Sequence, residues 1–291
     1  MQKTDQKATK PKPQKYANYH EAAFSAFGYR LREYVKNGDI TLEDEHPLSK
    51  RPPKIDIIVL KKDKDVDIET SWGKIFRKHN IIEYKSPVEA KLSISVFYKV
   101  VFGYVGLYAS QENVKFTDMS ITIVCFNKPE TLFETLKMEF DYKVLRKSKG
   151  IYYISKKGIN VNKSLAIQFI VSSELSDADL VLKALKSKID EATARKVLEL
   201  PIEDEEYSVS LLPWWEVMFL KNGAILSQEA DMNDWEKLVN AMKKNGFKGR
   251  YEQQWEQKGE LRGEKRATRQ ILTFLSQGHS LEEAKKKFAF A

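Results

Sequence analysis

The chain has 291 residues, of which 42% are hydrophobic, and its formal net charge is +8; a chain of this length predicts about two domains. No apolar run is long enough to span a bilayer and no signal-peptide pattern opens the sequence, so we expect a folded cytoplasmic protein rather than a secreted or membrane protein. A single cysteine excludes a disulfide within the chain, and four scattered histidines without cysteine pairs exclude a structural zinc site.

The positive charge is concentrated at the two ends of the chain. Residues 1–15 carry +4 and residues 240–291 carry +6, which leaves −2 for the part between them. This distribution is expected if the ends bind a polyanion without sequence preference while the middle carries the chemistry. Basic tails that serve solubility alone would show the same distribution.

Residues 1–17 are predicted to be a disordered basic tail, because they lack apolar periodicity. A helix follows, with apolar residues at three- and four-residue steps from Ala23 to Val35 and an end near Gly38. Glu21 lies at the border of the apolar stripe of this helix. Its carboxylate could face the edge of a sheet and join a metal site, or it could simply favour the helix dipole.

Three strands are predicted next, at residues 40–48, 54–61 and 80–86, followed by a helix after Pro87 and a fourth strand at residues 119–126. The fourth strand is almost entirely apolar, which is typical of a strand buried on both faces.

Two smaller predictions concern residues inside these elements. Gly103 and Gly106 in the second helix indicate that the helix packs closely on the sheet. Cys125 lies in the apolar segment ITIVCF, so we expect a buried core residue rather than a nucleophile.

The second and third strands each carry acids that a simple core strand would not need. Asp56 is the acid of the apolar run IDIIVL, and a carboxylate buried in such a strand costs several kcal/mol unless a metal or a base compensates. In the third strand, alternate residues share a face, so Glu83 and Lys85 project together. An Asp followed on a neighbouring strand by Glu-x-Lys is an arrangement found in metal nucleases.

The chemistry explains these residue types. Carboxylate oxygens can hold Mg²⁺ or Mn²⁺, which neutralises phosphate charge and makes a water nucleophilic. One or two ions would lie between Asp56 and Glu83, while Lys85 would orient or deprotonate the water or stabilise the transition-state charge. Alternating charged and apolar residues are also typical of a half-exposed strand, in which Glu83 and Lys85 would form only a surface ion pair.

The segments KIDIIVLKKDKD, NIIEYKSP and FYKVVFGYVGLY, in this order, resemble the PD-(D/E)XK nuclease superfamily, and more closely the bacterial recombination-promoting nucleases, a transposase-like group. The resemblance implies an α/β restriction-endonuclease-like core, a mixed central sheet flanked by helices, with a helical C-terminal extension. It implies Asp56, Glu83 and Lys85 as catalytic residues, Asp56 and Glu83 as ligands of Mg²⁺ or Mn²⁺, Glu21 as the acid of the first helix, and DNA as the partner.

The resemblance covers about residues 18–175 and extends loosely beyond them. The proline that usually precedes the aspartate is absent: Ile55 stands there, with Pro52 and Pro53 slightly upstream.

The second half of the chain is predicted to be mainly helical. A helix at residues 129–138 and strands at 150–155 and 165–172 complete the core, and Ser176 then caps a helix that ends at Leu185. The aromatic residues of the next section are expected to pack it on the core, with stacking on unpaired bases as the alternative: Trp214, Trp215, Phe219 and Trp235. The predicted domains are a nuclease-like core at 18–175, a helical subdomain at 176–240 and a basic helical tail at 241–291.

Two helices are predicted in the tail, one from Tyr251 and one opened by Ser280. We interpret them as an oligomerisation hairpin rather than a helix-turn-helix DNA reader, because the last helix is short.

The function expected from these residues is metal-dependent cleavage of DNA. The alternatives are a nucleic-acid-binding or assembly protein that keeps the nuclease fold without cleaving, and a structural protein with no nucleic-acid partner.

Overall fold

The computed structural model describes residues 19–43, 57–87, 92–158, 164–186, 188–200 and 211–230. The chain divides into two compact units, Met1–Ala230 and Asp231–Ala291, and all described residues belong to the first. The predicted basic ends, the C-terminal helices and Trp235 lie outside the described residues.

The described part of the chain forms an α/β fold around a seven-stranded mixed sheet with the strand order β1-β2-β3-β4-β7-β6-β5. The strands are β1 (Ile40–Glu43), β2 (Ile57–Lys62), β3 (His79–Lys85), β4 (Met119–Cys125), β5 (Tyr142–Ser148), β6 (Ile151–Lys156) and β7 (Ala166–Val171). Strands β3, β4 and β7 run parallel to one another, and the other neighbours are antiparallel.

Helices cover both faces of this sheet. They are α1 (Tyr19–Lys36), α2 (Ile94–Tyr98), α3 (Val105–Glu112), α4 (Glu130–Met138), α5 (Leu180–Lys183), α6 (Glu191–Leu198) and α7 (Leu212–Glu229). A π-helical segment, Lys99–Tyr104, joins α2 to α3. Among the helices of the described ranges, none has the length and apolar character that crossing a membrane requires.

The predicted order of helix, three strands, helix and strand is present as α1, β1, β2, β3, α2–α3 and β4. Every residue of β4 is buried, as its apolar run predicted. Cys125 at its end is a core residue, and burial raises the pKa of its thiol to about 12. The thiol is therefore protonated at neutral pH, which agrees with a structural role.

Some predictions for the helices were wrong. Gly103 and Gly106 do not pack closely on the sheet, since a Cβ at either position would meet no atom within 4 Å. The neighbouring Val100, Val101 and Tyr104 face the core instead, and the two glycines lie outside the stripe that these residues form at three- and four-residue spacing.

The predicted helix opened by Ser176 also differs. A 3₁₀ turn, Asp177–Asp179, comes first, and the Ser176 side chain makes no capping hydrogen bond. The regular helix begins only at Leu180 and is short.

The hydrophobic core has two layers, one on each face of the sheet. On one face, α2 and α4 bring Phe97 and Phe133 against Phe169 of β7, with ring centroids 6.2 and 5.1 Å apart respectively. On the other face, α1 packs through Phe27 on Trp72, with centroids 5.2 Å apart.

Helix α7 lies against α1 on this second face. Its residues Trp214, Trp215 and Phe219 are buried, and Trp214 Nε1 donates a hydrogen bond to Val181 O at 2.7 Å. The prediction that these three aromatic residues belong to the core is confirmed.

A polar cluster centred on Asn80 joins the central strands through hydrogen bonds, which apolar side chains cannot form. Asn80 is fully buried, and its Nδ2 donates to Leu60 O at 3.2 Å and to Arg77 O at 2.6 Å. Its Oδ1 accepts from Arg77 N at 2.7 Å and from Ser120 Oγ at 2.6 Å. One side chain thereby connects β2, β3 and β4.

We expect Asn80→Ala to lower the free energy of unfolding by about 2–3 kcal/mol, because it leaves several buried polar groups without their partner. Ser120→Ala removes only one of these hydrogen bonds and should cost about 1 kcal/mol. Urea denaturation with an unchanged m-value measures both. Equal losses in the two variants would contradict the central position of Asn80.

Candidate active site

The Glu83 and Lys85 side chains lie on the same face of β3 and form an ion pair. Lys85 Nζ is 2.5 Å from Glu83 Oε1, and the side chains are 23% and 5% exposed respectively. The buried carboxylate therefore has a cation beside it while the cation retains access to solvent. A surface ion pair between two exposed side chains does not describe this arrangement.

The face on which this pair lies is defined by the neighbours of Glu83 in the sheet. Ile57 and Ile123 are its register partners on β2 and β4, and both belong to the core cluster beneath α2 and α3. Tyr84 points to the other face, where its hydroxyl donates to Leu185 O at 3.1 Å. The alternation predicted for this strand is confirmed.

Asp56 lies outside the described residues. It directly precedes Ile57 in the sequence, and Ile57 is the register partner of Glu83. The strand that follows Asp56 is thus the strand that pairs with the Glu-x-Lys strand.

Glu21 is a partly buried residue of the first turn of α1. The helix that carries it packs on the face of the sheet opposite to the Glu83 and Lys85 side chains. A Glu21 carboxylate could approach these two residues only around the ends of the strands.

Glu21 lies toward the same end of the sheet as Glu83. A Cβ at Gly28 would lie 3.9 Å from Leu42 Cδ2, and Leu42 is level with Asn80 across β2. Glu21 lies seven residues before Gly28, about 10 Å along the helix axis. Glu83 lies three residues beyond Asn80, about 10 Å along the strand in the same direction.

A cavity of about 310 Å³ opens beside Lys85 at the carboxyl ends of β3 and β4. Asn127 and Lys128, which follow β4, are among the residues that line it, and Lys128 Nζ lies 2.7 Å from Glu130 Oε1. Sequence reasoning missed these two residues. A polar pair directly after a buried parallel strand was the available signal, since such strand ends are where α/β sheets bind ligands.

Of the predicted metal ligands, the structure describes Glu83, and of the predicted additional acids, Glu21. Across the described ranges, no three His, Cys, Asp or Glu side chains are grouped so that they could hold a metal. Glu83 supplies a hard carboxylate oxygen of the kind that Mg²⁺ prefers. A metal ion held by Glu83 together with Asp56 and Glu21 stays a prediction.

We expect Lys85→Met to lower the free energy of unfolding by about 2 kcal/mol, because it removes the cation next to a buried carboxylate; the cost stays below that of a fully buried pair since Lys85 is partly exposed. Adding Glu83→Gln to this variant should restore part of the lost free energy of unfolding, because the buried negative charge is then also removed.

Chemical denaturation of the two single variants and the double variant measures this coupling. The control is Lys115→Met, which changes the same charge at an exposed position and should leave stability unchanged. Strictly additive losses would show that the two side chains do not interact.

Comparison of the chain with protein-family models, with curated proteins and with solved structures returned no match. The functional argument therefore depends on the residues of the site.

Proposed function

We propose that the protein is a metal-dependent endonuclease that hydrolyses DNA phosphodiester bonds. The observation that carries the proposal is the Glu83–Lys85 pair at the end of β3, with a register partner, Ile57, that directly follows Asp56. Glu83 and Lys85 come from one strand, and Asp56 directly precedes, in the sequence, the strand that pairs with it.

The sheet supports this proposal at the level of topology. Strands β1, β2 and β3 form an antiparallel meander, and β4 is added parallel to β3 after the α2–α3 crossover. This order resembles the restriction-endonuclease-like core, to which β7, β6 and β5 would be an extension. The resemblance to recombination-promoting nucleases further suggests DNA of mobile elements as the substrate.

In this proposal Asp56 and Glu83 hold Mg²⁺ or Mn²⁺. The bound ion would neutralise phosphate charge and lower the pKa of a water molecule. Glu21, on the other face at the same end of the sheet, would add a carboxylate from α1 only by reaching the ion around the ends of the strands.

Lys85 is the residue that connects the acids with the substrate. Its ammonium group contacts Glu83 and also borders the open cavity, so it can reach a phosphate oxygen placed there. A fixed positive charge next to a developing negative charge accelerates hydrolysis because no solvent has to reorganise. Lys85 as the base that takes a proton from the water is the other role open to it.

A second candidate function is DNA binding without cleavage on the same fold. The observation in its favour is the close ion pair, because a carboxylate and an ammonium in direct contact also form a stable structural unit. Oligomerisation through the predicted C-terminal helices, whose residues lie outside the described part of the chain, is compatible with both functions.

We expect Lys85→Ala to slow DNA cleavage about 10²- to 10³-fold, because one preorganised charge is lost while both acids stay. Asp56→Ala should abolish cleavage and also weaken metal binding. Nicking of supercoiled plasmid in Mg²⁺ or Mn²⁺ measures the rate, with EDTA as the blank and Lys115→Ala as the matched control.

Identical purification of all variants controls for contaminating nucleases. If wild type and Lys85→Ala cut at the same rate, the activity does not come from this site. DNA binding by a wild-type protein that does not cut would support the non-cleaving alternative.

Removal of residues 1–15 should weaken DNA affinity and flatten its salt dependence, because each lysine that contacts a phosphate contributes about 0.9 to the slope of log K against log salt concentration. Cleavage at saturating protein should persist, since the proposed acids are retained. Fluorescence anisotropy at several salt concentrations measures the slope. An unchanged slope would show that the N-terminal segment does not touch phosphates.

A further inference from the structure

The β5–β6 hairpin is a strongly basic part of a region that is near neutral as a whole. Residues 142–158 contain five lysines and one arginine and no aspartate or glutamate. β5 is the last strand of the sheet, and most of its residues are exposed. The hairpin therefore presents a local excess of positive charge on the unit that carries the candidate active site.

Few of these cations have an acidic partner. Arg146 pairs with Glu174 at 3.5 Å and Lys157 with Asp141 at 3.3 Å. Four exposed lysines of the hairpin form no ion pair with a carboxylate of the described residues: Lys143, Lys147, Lys149 and Lys156. A cluster of like charges without counter-charges costs repulsion energy, and a polyanionic partner would relieve it.

The turn of the hairpin lies at the same edge of the sheet as Lys85. Lys85 is level with Cys125, and Cys125 with Val171, through the parallel register of β3, β4 and β7. Val171 N donates a hydrogen bond to Gly150 O in the turn at 2.7 Å.

Glycine is required at this turn. Gly150 has a φ of +72°, and a Cβ there would lie 2.7 Å from Val171 O. Only a residue without a side chain lets the turn approach β7 so closely. The positions of Lys147 and Lys149 relative to the carboxyl ends of the central strands are therefore defined by the backbone.

The separation between Lys85 and the turn suits a DNA duplex. Three to four strand spacings separate β3 from the turn that joins β6 to β5, which corresponds to about 14–19 Å. Phosphates of one DNA strand are spaced about 3.4 Å apart along the helix axis, so this span covers roughly four to six nucleotides. Lys128 lies at the same edge, beside the cavity that Lys85 also lines.

We propose that the turn end of the β5–β6 hairpin, through Lys147 and Lys149, is a second contact point for the DNA backbone. The contact holds a duplex that lies along the carboxyl-end edge of the sheet, with Lys85 at one end of the contact and the hairpin turn at the other. The proposal rests on DNA as the substrate of the proposed function, but the contact itself does not depend on cleavage.

A nucleic acid fits this surface better than a lipid membrane. The large hydrophobic side chain that β5 exposes is Leu145, at 46%, and one such residue provides little apolar area for insertion between lipids. Phosphates spaced along a duplex can instead meet the lysines in turn, without sequence preference.

The test compares two double variants of equal charge change. Lys147→Gln/Lys149→Gln changes the turn end, and Lys143→Gln/Lys156→Gln changes the opposite end of the same hairpin. Each pair contains one lysine over a tyrosine ring, since Lys147 lies 5.4 Å from the Tyr153 centroid and Lys156 5.4 Å from the Tyr142 centroid. Thermal unfolding of the variants verifies that the fold is intact.

Binding of a short DNA duplex of mixed sequence is measured in EDTA at several salt concentrations, so that no cleavage occurs. The turn-end variant should lower the slope of log K against log salt concentration by about 1.8, as expected for two lost phosphate contacts. The opposite-end variant should bind like wild type. Equal losses in both variants, or no loss in the turn-end variant, would overturn the proposal.

Two further measurements separate this proposal from membrane binding and from the nuclease proposal. If the turn-end variant loses binding to anionic phospholipid vesicles but binds DNA like wild type, the surface is assigned to a membrane and the DNA contact is overturned. Plasmid nicking is assayed separately. If the wild-type protein binds DNA through the turn but never cuts it, the nuclease proposal is refuted and this contact stands. If the wild-type protein cuts DNA while the turn-end variant keeps the wild-type salt slope, this contact is refuted and the nuclease proposal stands.

Discussion

The three parallel central strands, β3, β4 and β7, are buried on both faces, and the arrangement of the other elements follows from this constraint. Polar groups on such strands must find partners inside the protein, because water cannot reach them. The Asn80 cluster meets this requirement at one end of the strands. In the middle, Gln168 Nε2 donates to Thr122 Oγ1 at 2.8 Å and to Trp72 O at 2.9 Å. These bonds also tie the segment between β2 and β3 to the sheet.

Glu83 stands apart from those neutral groups, because it brings a charge into the same buried layer. A carboxylate there costs stability unless a cation compensates, and the Lys85 ammonium group does so from a position that is still open to the cavity. Neutral side chains at these positions would cost the fold less stability. Proteins generally retain such costly groups at functional sites, which is the physical reason for proposing chemistry at the end of β3.

The parallel arrangement also explains why several cations meet at one edge. Strands that run in the same direction end together, so Lys85 at the end of β3, Lys128 after β4 and the Gly150 turn beside β7 lie at one edge of the sheet. The antiparallel β5–β6 hairpin extends this edge outward. A chain whose middle part is near neutral on average can therefore present a basic edge next to a buried acid.

The sequence by itself determined the elements whose signal is local. The apolar runs of β3 and β4, and the alternation that sends Glu83 and Lys85 to one face, follow from residues close together in the chain. Strand β5 was missed because only Tyr142 and Val144 of this basic edge strand pack against the core, which is too short an apolar alternation to stand out in the sequence. The outward orientation of Gly103 and Gly106 depends on which side of the helix meets the sheet. Only the tertiary structure decided the pairing of Ile57 with Glu83 and the place of the basic turn, because strand register and sheet order join residues far apart in sequence through contacts that no local pattern encodes.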